Sequence, residues 1–145
     1  MKKLIVAFIL AVPIVLAGPA MAQTQKPYKE GQVTEVSYIK IKPGRFDDYM
    51  SFLDTSYKTL MEAYKRAGLV VSYAVYGTRA RSPQDPDLIL TVTYANMAAL
   101  DKIEEEEAIT AKVVGSTDVQ NKQYADRGAM RDVLGSQLLR ELVLK

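Results

Sequence analysis

Residues 45–68 read RFDDYMSFLDTSYKTLMEAYKRAG. Phe46, Tyr49, Met50, Leu53, Tyr57, Leu60, Met61 and Tyr64 recur at three- and four-residue spacing, which predicts an amphipathic helix. Its ends agree with that reading. Pro43-Gly44 precedes it, Asp47 and Asp48 stand in the first turn, Lys65 and Arg66 in the last, and Gly68 follows as a C′ residue. Acids at the start and bases at the end both match the helix dipole. A stripe this wide needs a sheet to cover, and strand-like runs lie on both sides of it.

Upstream, residues 32–42 read as a strand in which Val36 and Tyr38 alternate with Ser37, Ile39 and Ile41. Downstream, residues 69–78 read as a second strand, with Val71, Tyr73 and Val75 on one face and Val70, Ala74 and Tyr76 on the other. Pro83 and Pro86 keep residues 79–87 out of any ladder, so they form a long hairpin loop. Residues 88–94 are a third strand, alternating Leu88, Leu90, Val92 and Tyr94 with Ile89, Thr91 and Thr93. Asn96 is an N-cap for a second helix over residues 97–107, which would end unfavourably on Glu104 to Glu107. Residues 108–115 are ambiguous, and residues 118–134 read as helix or helical pieces. Gly135-Ser136 reads as a turn before a last strand over residues 137–144.

The N-terminus is a separate matter. Lys2 and Lys3, an apolar run over residues 4–17, the break at Gly18-Pro19 and the small residues of Ala20-Met21-Ala22 together read as a signal peptide cleaved after residue 22. The alternative is a membrane anchor, but a span needs about 20 apolar residues and this run is shorter. The expected division is therefore a cleaved leader, 1–22, a flexible lead-in, 23–31, and one domain, 32–145. The expected location is periplasmic or secreted, with no stable membrane anchor after cleavage. Of the 19 Lys and Arg against 17 Asp and Glu, two lysines leave with the leader, so the mature chain is formally neutral. No basic stripe with interleaved aromatics suggests nucleic acid.

The chain has no Cys and no His. That removes disulfides, thiolate chemistry, the commonest general base and the usual zinc and haem ligands. No metal and no cofactor is expected.

The order β-α-β-β-α-(α)-β gives an α+β fold: a ferredoxin-like split βαβ unit with a four-stranded antiparallel sheet and helices on one face. The uncovered face would carry Ile39, Ile41, Val70, Tyr76, Ile89, Leu139 and Val143, or the opposite set. Either is a large apolar surface. A second copy is its simplest cover, so a C2 homodimer is expected.

The segments VSYIKIKPGRFDDYMSFL and YKRAGLVVSYAVYGTRARSPQDPDLILTVTYANMAALD resemble the dimeric α/β-barrel superfamily, in particular its NIPSNAP-like and antibiotic-biosynthesis-monooxygenase-like domains. The resemblance covers residues 33–101 and the last strand. It implies two protomers forming a barrel, each with a small cavity between sheet and helices. Members include cofactor-independent monooxygenases, haem-degrading enzymes and isomerases. The absence of His and Trp here argues against the haem and best-known oxygenase chemistries.

Four residues are candidates for lining such a pocket. Tyr38, Tyr73 and Tyr94 stand among large apolar neighbours by strand parity, and Arg140 lies between Leu138 and Leu142. Their hydroxyls and guanidinium would orient a ligand. Against this, Tyr is simply common in strands, and Arg140 has acids such as Glu35 to pair with. Arg79, Arg81 and Asp85 in the proline loop, the Glu104–Glu107 run, and Ser56 with Lys58 each read better as solvated surface. The expected function is binding of a small apolar or phenolic ligand. The alternative is a cofactor-independent monooxygenase or isomerase.

Overall fold

The computed structural model describes residues 26–145. The leader and the first residues of the lead-in lie outside the described residues. The elements are β1 (Tyr28–Ile41), α1 (Phe46–Phe52), a π-helical turn (Leu53–Tyr57), α2 (Lys58–Arg66), β2 (Ser72–Gly77), β3 (Leu88–Tyr94), a 3₁₀ turn (Met97–Asp101), α3 (Ile103–Val113), α4 (Thr117–Met130) and β4 (Arg131–Leu144). The four strands form one antiparallel sheet in the order β2-β3-β1-β4. This is the split βαβ arrangement, with the helices on one face of the sheet.

The organising helix forms as its pattern requires, with one modification. Tyr49, Leu53, Tyr57 and Met61 are spaced by four, and such steps drift about 40° each around a helix of 3.6 residues per turn. The wide π-helical turn over Leu53–Tyr57 takes up that drift and keeps the stripe on the sheet. At the C-terminus Gly68 has φ +73°. Its N–H donates to Lys65 O and the Leu69 N–H to Tyr64 O, closing a Schellman motif. Leu69 and Tyr64 then pack together in one core cluster with Met61 and Val70. A second cluster joins Ile39, Leu88 and Leu90 of the sheet to Tyr49, Leu53 and Met130 of the helices.

Several expectations are corrected. The lead-in is not flexible throughout: β1 begins at Tyr28 and pairs Tyr28, Lys29 and Glu30 with Leu144, Val143 and Leu142. Gly135-Ser136 is not a turn. α4 runs directly into β4 at Arg131, and Gly135 lies inside that strand opposite Tyr38, at a register shift. An extra residue there is a β-bulge, which the Gly mimicked as a turn signal. Glu104 to Glu106 form the first turn of α3, not the end of a helix, so they favour the dipole rather than oppose it. Asn96 caps only the short 3₁₀ turn, accepting from the Ala99 N–H at 3.2 Å. The second strand is shorter than expected, because Leu69 and Val70 are buried in the connection before it.

The expected apolar set also mixes two faces. Ile39 packs against Tyr49 and Leu53 under the helices. Tyr76 and Ile89 are register partners of each other, and Ile89 pairs with Tyr38, one residue out of phase with Ile39. The helix-free face therefore carries Val36, Tyr38, Tyr76, Ile89 and Leu139. The proline loop is pinned to β1: Lys40 Nζ donates to Asp85 O (2.9 Å) and Asp87 Oδ1 (3.0 Å), and the Ile41 N–H donates to Asp87 Oδ2 (2.8 Å).

Candidate functional site

Beneath the helices, one end of the layer is hollow. A cavity of about 190 Å³ lies between the helix-side residues of the sheet (Glu35, Ser37, Ile39, Leu90, Val92, Val133) and the helical residues Tyr49, Phe52, Tyr57 and Arg127. Arg131, the first residue of β4, completes the wall. Strand parity supplies the sheet side: Glu35 pairs with Val92 and Ser37 with Leu90, so all four project toward the helices. The π-helical turn supplies Tyr57, and the last turn of α4 supplies Arg127.

The two arginines are held by rings. The Arg131 guanidinium lies 5.6 Å from the Tyr49 ring centre. That of Arg127 lies 5.7 Å from Phe52 and 5.5 Å from Tyr124. Neither makes a salt bridge among the described residues. The Nε atoms of both, and the Tyr57 hydroxyl, are buried without a hydrogen-bond partner there. Burial, and then the neighbouring charge of Arg131, pulls the Arg127 guanidinium below its ordinary pKa. Burial first, and then the nearby tyrosines and Glu35, pushes the Tyr57 phenol well up. Buried polar atoms are nearly always paired, so three unpaired donors around one hollow set it apart from the rest of the described interior.

The four residues singled out from the sequence do not converge on it. Tyr38 is on the opposite, helix-free face and donates to Gln137 Oε1 at 3.1 Å. Arg140 pairs with Glu30 at 2.5 Å, not with Glu35, because the register places it beside the start of β1. Tyr73 and Tyr94 do face the helices, yet lie outside the cavity wall. Tyr73 donates to Glu62 Oε1 at 2.8 Å and meets the Tyr57 ring edge-on at 5.9 Å. Burial, with Glu35 and Glu106 nearby, pushes the Tyr94 phenol up to about 12. Sequence reasoning missed that Glu35, Tyr57, Arg127 and Arg131 line one cavity. Two signals were present: the four-residue steps leading to Tyr57, and two arginines four apart around the buried Met130.

The other candidates prove to be surface structure. The Asp85 carboxylate accepts from the Arg81 and Ser82 N–H groups (2.7 and 3.0 Å), which hold its pKa below the ordinary value and close the loop on itself. Lys58 pairs with Asp54 at 2.9 Å, away from Ser56. No group of acids among the described residues forms a metal site.

No protein-family model matches the chain, and no curated protein does. Solved structures do. HapK from Hahella chejuensis superposes with a TM-score of 0.50 at 13% identity, covering 75% of this chain and 91% of HapK. Protein SO0527 from Shewanella oneidensis gives 0.52 at 14%, covering 80% and 98%. A dimeric ferredoxin-like protein from an uncultured marine organism gives 0.50 at 9%, covering 81% and 98%. The chain therefore has a ferredoxin-like fold. At these identities the likeness concerns that fold and not the NIPSNAP-like or monooxygenase-like branches within it.

Proposed function

We propose that this protein binds a small apolar or phenolic molecule in the cavity between its sheet and its helices. The observation that carries the reading is the cavity itself. It sets an apolar wall of Ile39, Phe52, Leu90, Val92 and Val133 against unpartnered donors on Tyr57, Arg127 and Arg131. A few convergent polar groups in an apolar hollow are the general form of a ligand site. A cavity of about 150 Å³ holds benzene, so about 190 Å³ suits a single ring with a substituent. The test is titration with phenol followed by backbone amide NMR. Shifts confined to the cavity-lining parts of β1, α1, the π-helical turn, β3 and the junction of α4 with β4 are expected, and Ser37→Leu, which fills the cavity, should abolish them. Shifts scattered over the surface, or surviving in that variant, would sink the reading.

The working form in this proposal is a homodimer. Val133, Leu134, Leu138, Leu139, Leu142, Val143 and Leu144 are 44–81% exposed along one edge strand. Both faces of β4 are thus apolar and open, which invites a partner surface. Export to the periplasm or beyond belongs to the same proposal and rests on the leader-like residues 1–22. Sedimentation of the purified protein reads the first, and N-terminal sequencing of the exported protein reads the second.

A further inference from the structure

We infer that the ligand of this cavity is an aromatic monocarboxylate whose acid group docks on Arg127 and Arg131 while its ring lies against Phe52, Leu90 and Val92. The inference rests on the binding reading above and deepens it from a ring-sized ligand to an anionic one.

Arg127 and Arg131 bring two cations to one wall. Each is partly withdrawn from water, each covers an aromatic ring, and each has a buried Nε without an acceptor among the described residues. Two like charges in such a place raise the free energy of the empty site unless an anion joins them. A planar carboxylate matches guanidinium donors in pairs. The Tyr57 hydroxyl, also unpartnered, is a further donor on the same wall.

The acid in the cavity sets the orientation. Glu35 lines the wall but forms no salt bridge with either arginine. Arg131 is paired with Ile41, and Glu35 lies six residues earlier on β1, about 20 Å of strand away. The cavity therefore has a basic end and an acidic end. An anionic head is drawn to the first and repelled from the second. A neutral phenol offers two Nε donors a single uncharged acceptor, and a dianion would add charge that two guanidinium groups and the carboxylate at the far end do not balance.

Calorimetric titration with benzoate, benzamide and phenol tests this, because the first two share a shape and differ in charge. Benzoate should bind the wild-type protein about tenfold or more tightly than benzamide, the worth of one lost charge-assisted contact. Arg127→Gln and Arg131→Gln should each weaken benzoate by a similar factor and leave benzamide nearly unchanged. Arg131→Lys should recover part of the loss, and Arg140→Gln, outside the cavity, should change nothing. Circular dichroism establishes that each variant is folded, and the benzoate–benzamide comparison on the wild type needs no variant. If all three probes bind alike and the arginine variants are indifferent, the anionic assignment is overturned and the cavity reading stands. If none binds, both fall.

Discussion

Where α2 and α3 cover β2 and β3, Met61, Tyr64, Leu69 and Val70 close into a core. There the Tyr64 hydroxyl bonds Thr110 at 2.5 Å and Tyr73 bonds Glu62. Where α1 and α4 cover β1 and β4, similar residue types surround a hollow, and Tyr57, Arg127 and Arg131 keep buried polar atoms unpaired. One sheet and one layer of helices thus hold a finished end and an open end. The difference lies in what each helix brings. α2 ends in a Schellman turn that folds Leu69 back onto Tyr64, whereas α4 is mostly polar and ends by presenting arginines. Close packing stabilises, and a hollow lined by unpaired donors forgoes part of that stabilisation.

The contrast breaks most visibly on truncation. Leu69→Ala should cost about 2–5 kcal/mol, read from urea unfolding, because the surrounding cluster cannot collapse into the space. Val133→Ala, at a half-exposed wall of the hollow, should cost under about 1 kcal/mol. Equal losses would mean that the two ends are packed alike.

Alkali should come next. Tyr57, Tyr64 and Tyr94 all have phenols raised by burial, Tyr94 to about 12. Below about pH 10 both the folded and unfolded chains keep these protons. Above it the unfolded chain releases them first, so stability falls as pH rises from about 10 through about 12. Urea midpoints should drop over that range, with phenolate absorbance appearing late in the folded protein. Tyr94→Phe should flatten the drop. A flat wild-type profile would place these hydroxyls in water.

A smaller effect separates two tyrosines. Tyr64→Phe removes a paired hydroxyl and should cost about 1 kcal/mol. Tyr57→Phe removes an unpaired one and should be neutral or slightly stabilising in the ligand-free protein. The reverse order of unfolding midpoints would contradict the assignment of the open end. Smallest of all, Arg140→Gln breaks a largely solvated pair with Glu30 and should stay within about 0.5 kcal/mol.

Much of the framework was legible because it is local. Gly68 sits at C′ with positive φ, Asn96 caps a short turn, β3 falls where alternation placed it and the other three strands overlap their expected runs, since each signal acts within a few residues. Gly135 misled because a bulge and a turn draw on the same residue. The acids 104–107 misled because the helix break at Lys102, which turns an apparent end into a beginning, carries no strong sequence mark. Tyr38 was grouped with Tyr73 and Tyr94 because parity within one strand says nothing about phase between strands. That phase depends on register, and register is settled by long-range pairing.

The sequence by itself determined that a long amphipathic helix lies between strands of a split βαβ unit, and that these 145 residues supply neither His nor Cys. Tertiary structure alone decided where the hollow is. Glu35, Tyr57 and the Arg127–Arg131 pair come from three parts of the chain and meet only after β4 pairs with β1 and the π-helical turn aims Tyr57 at the sheet. Local propensity is written in neighbouring residues. Convergence of distant side chains is a property of register and packing, which appears only once the chain has folded.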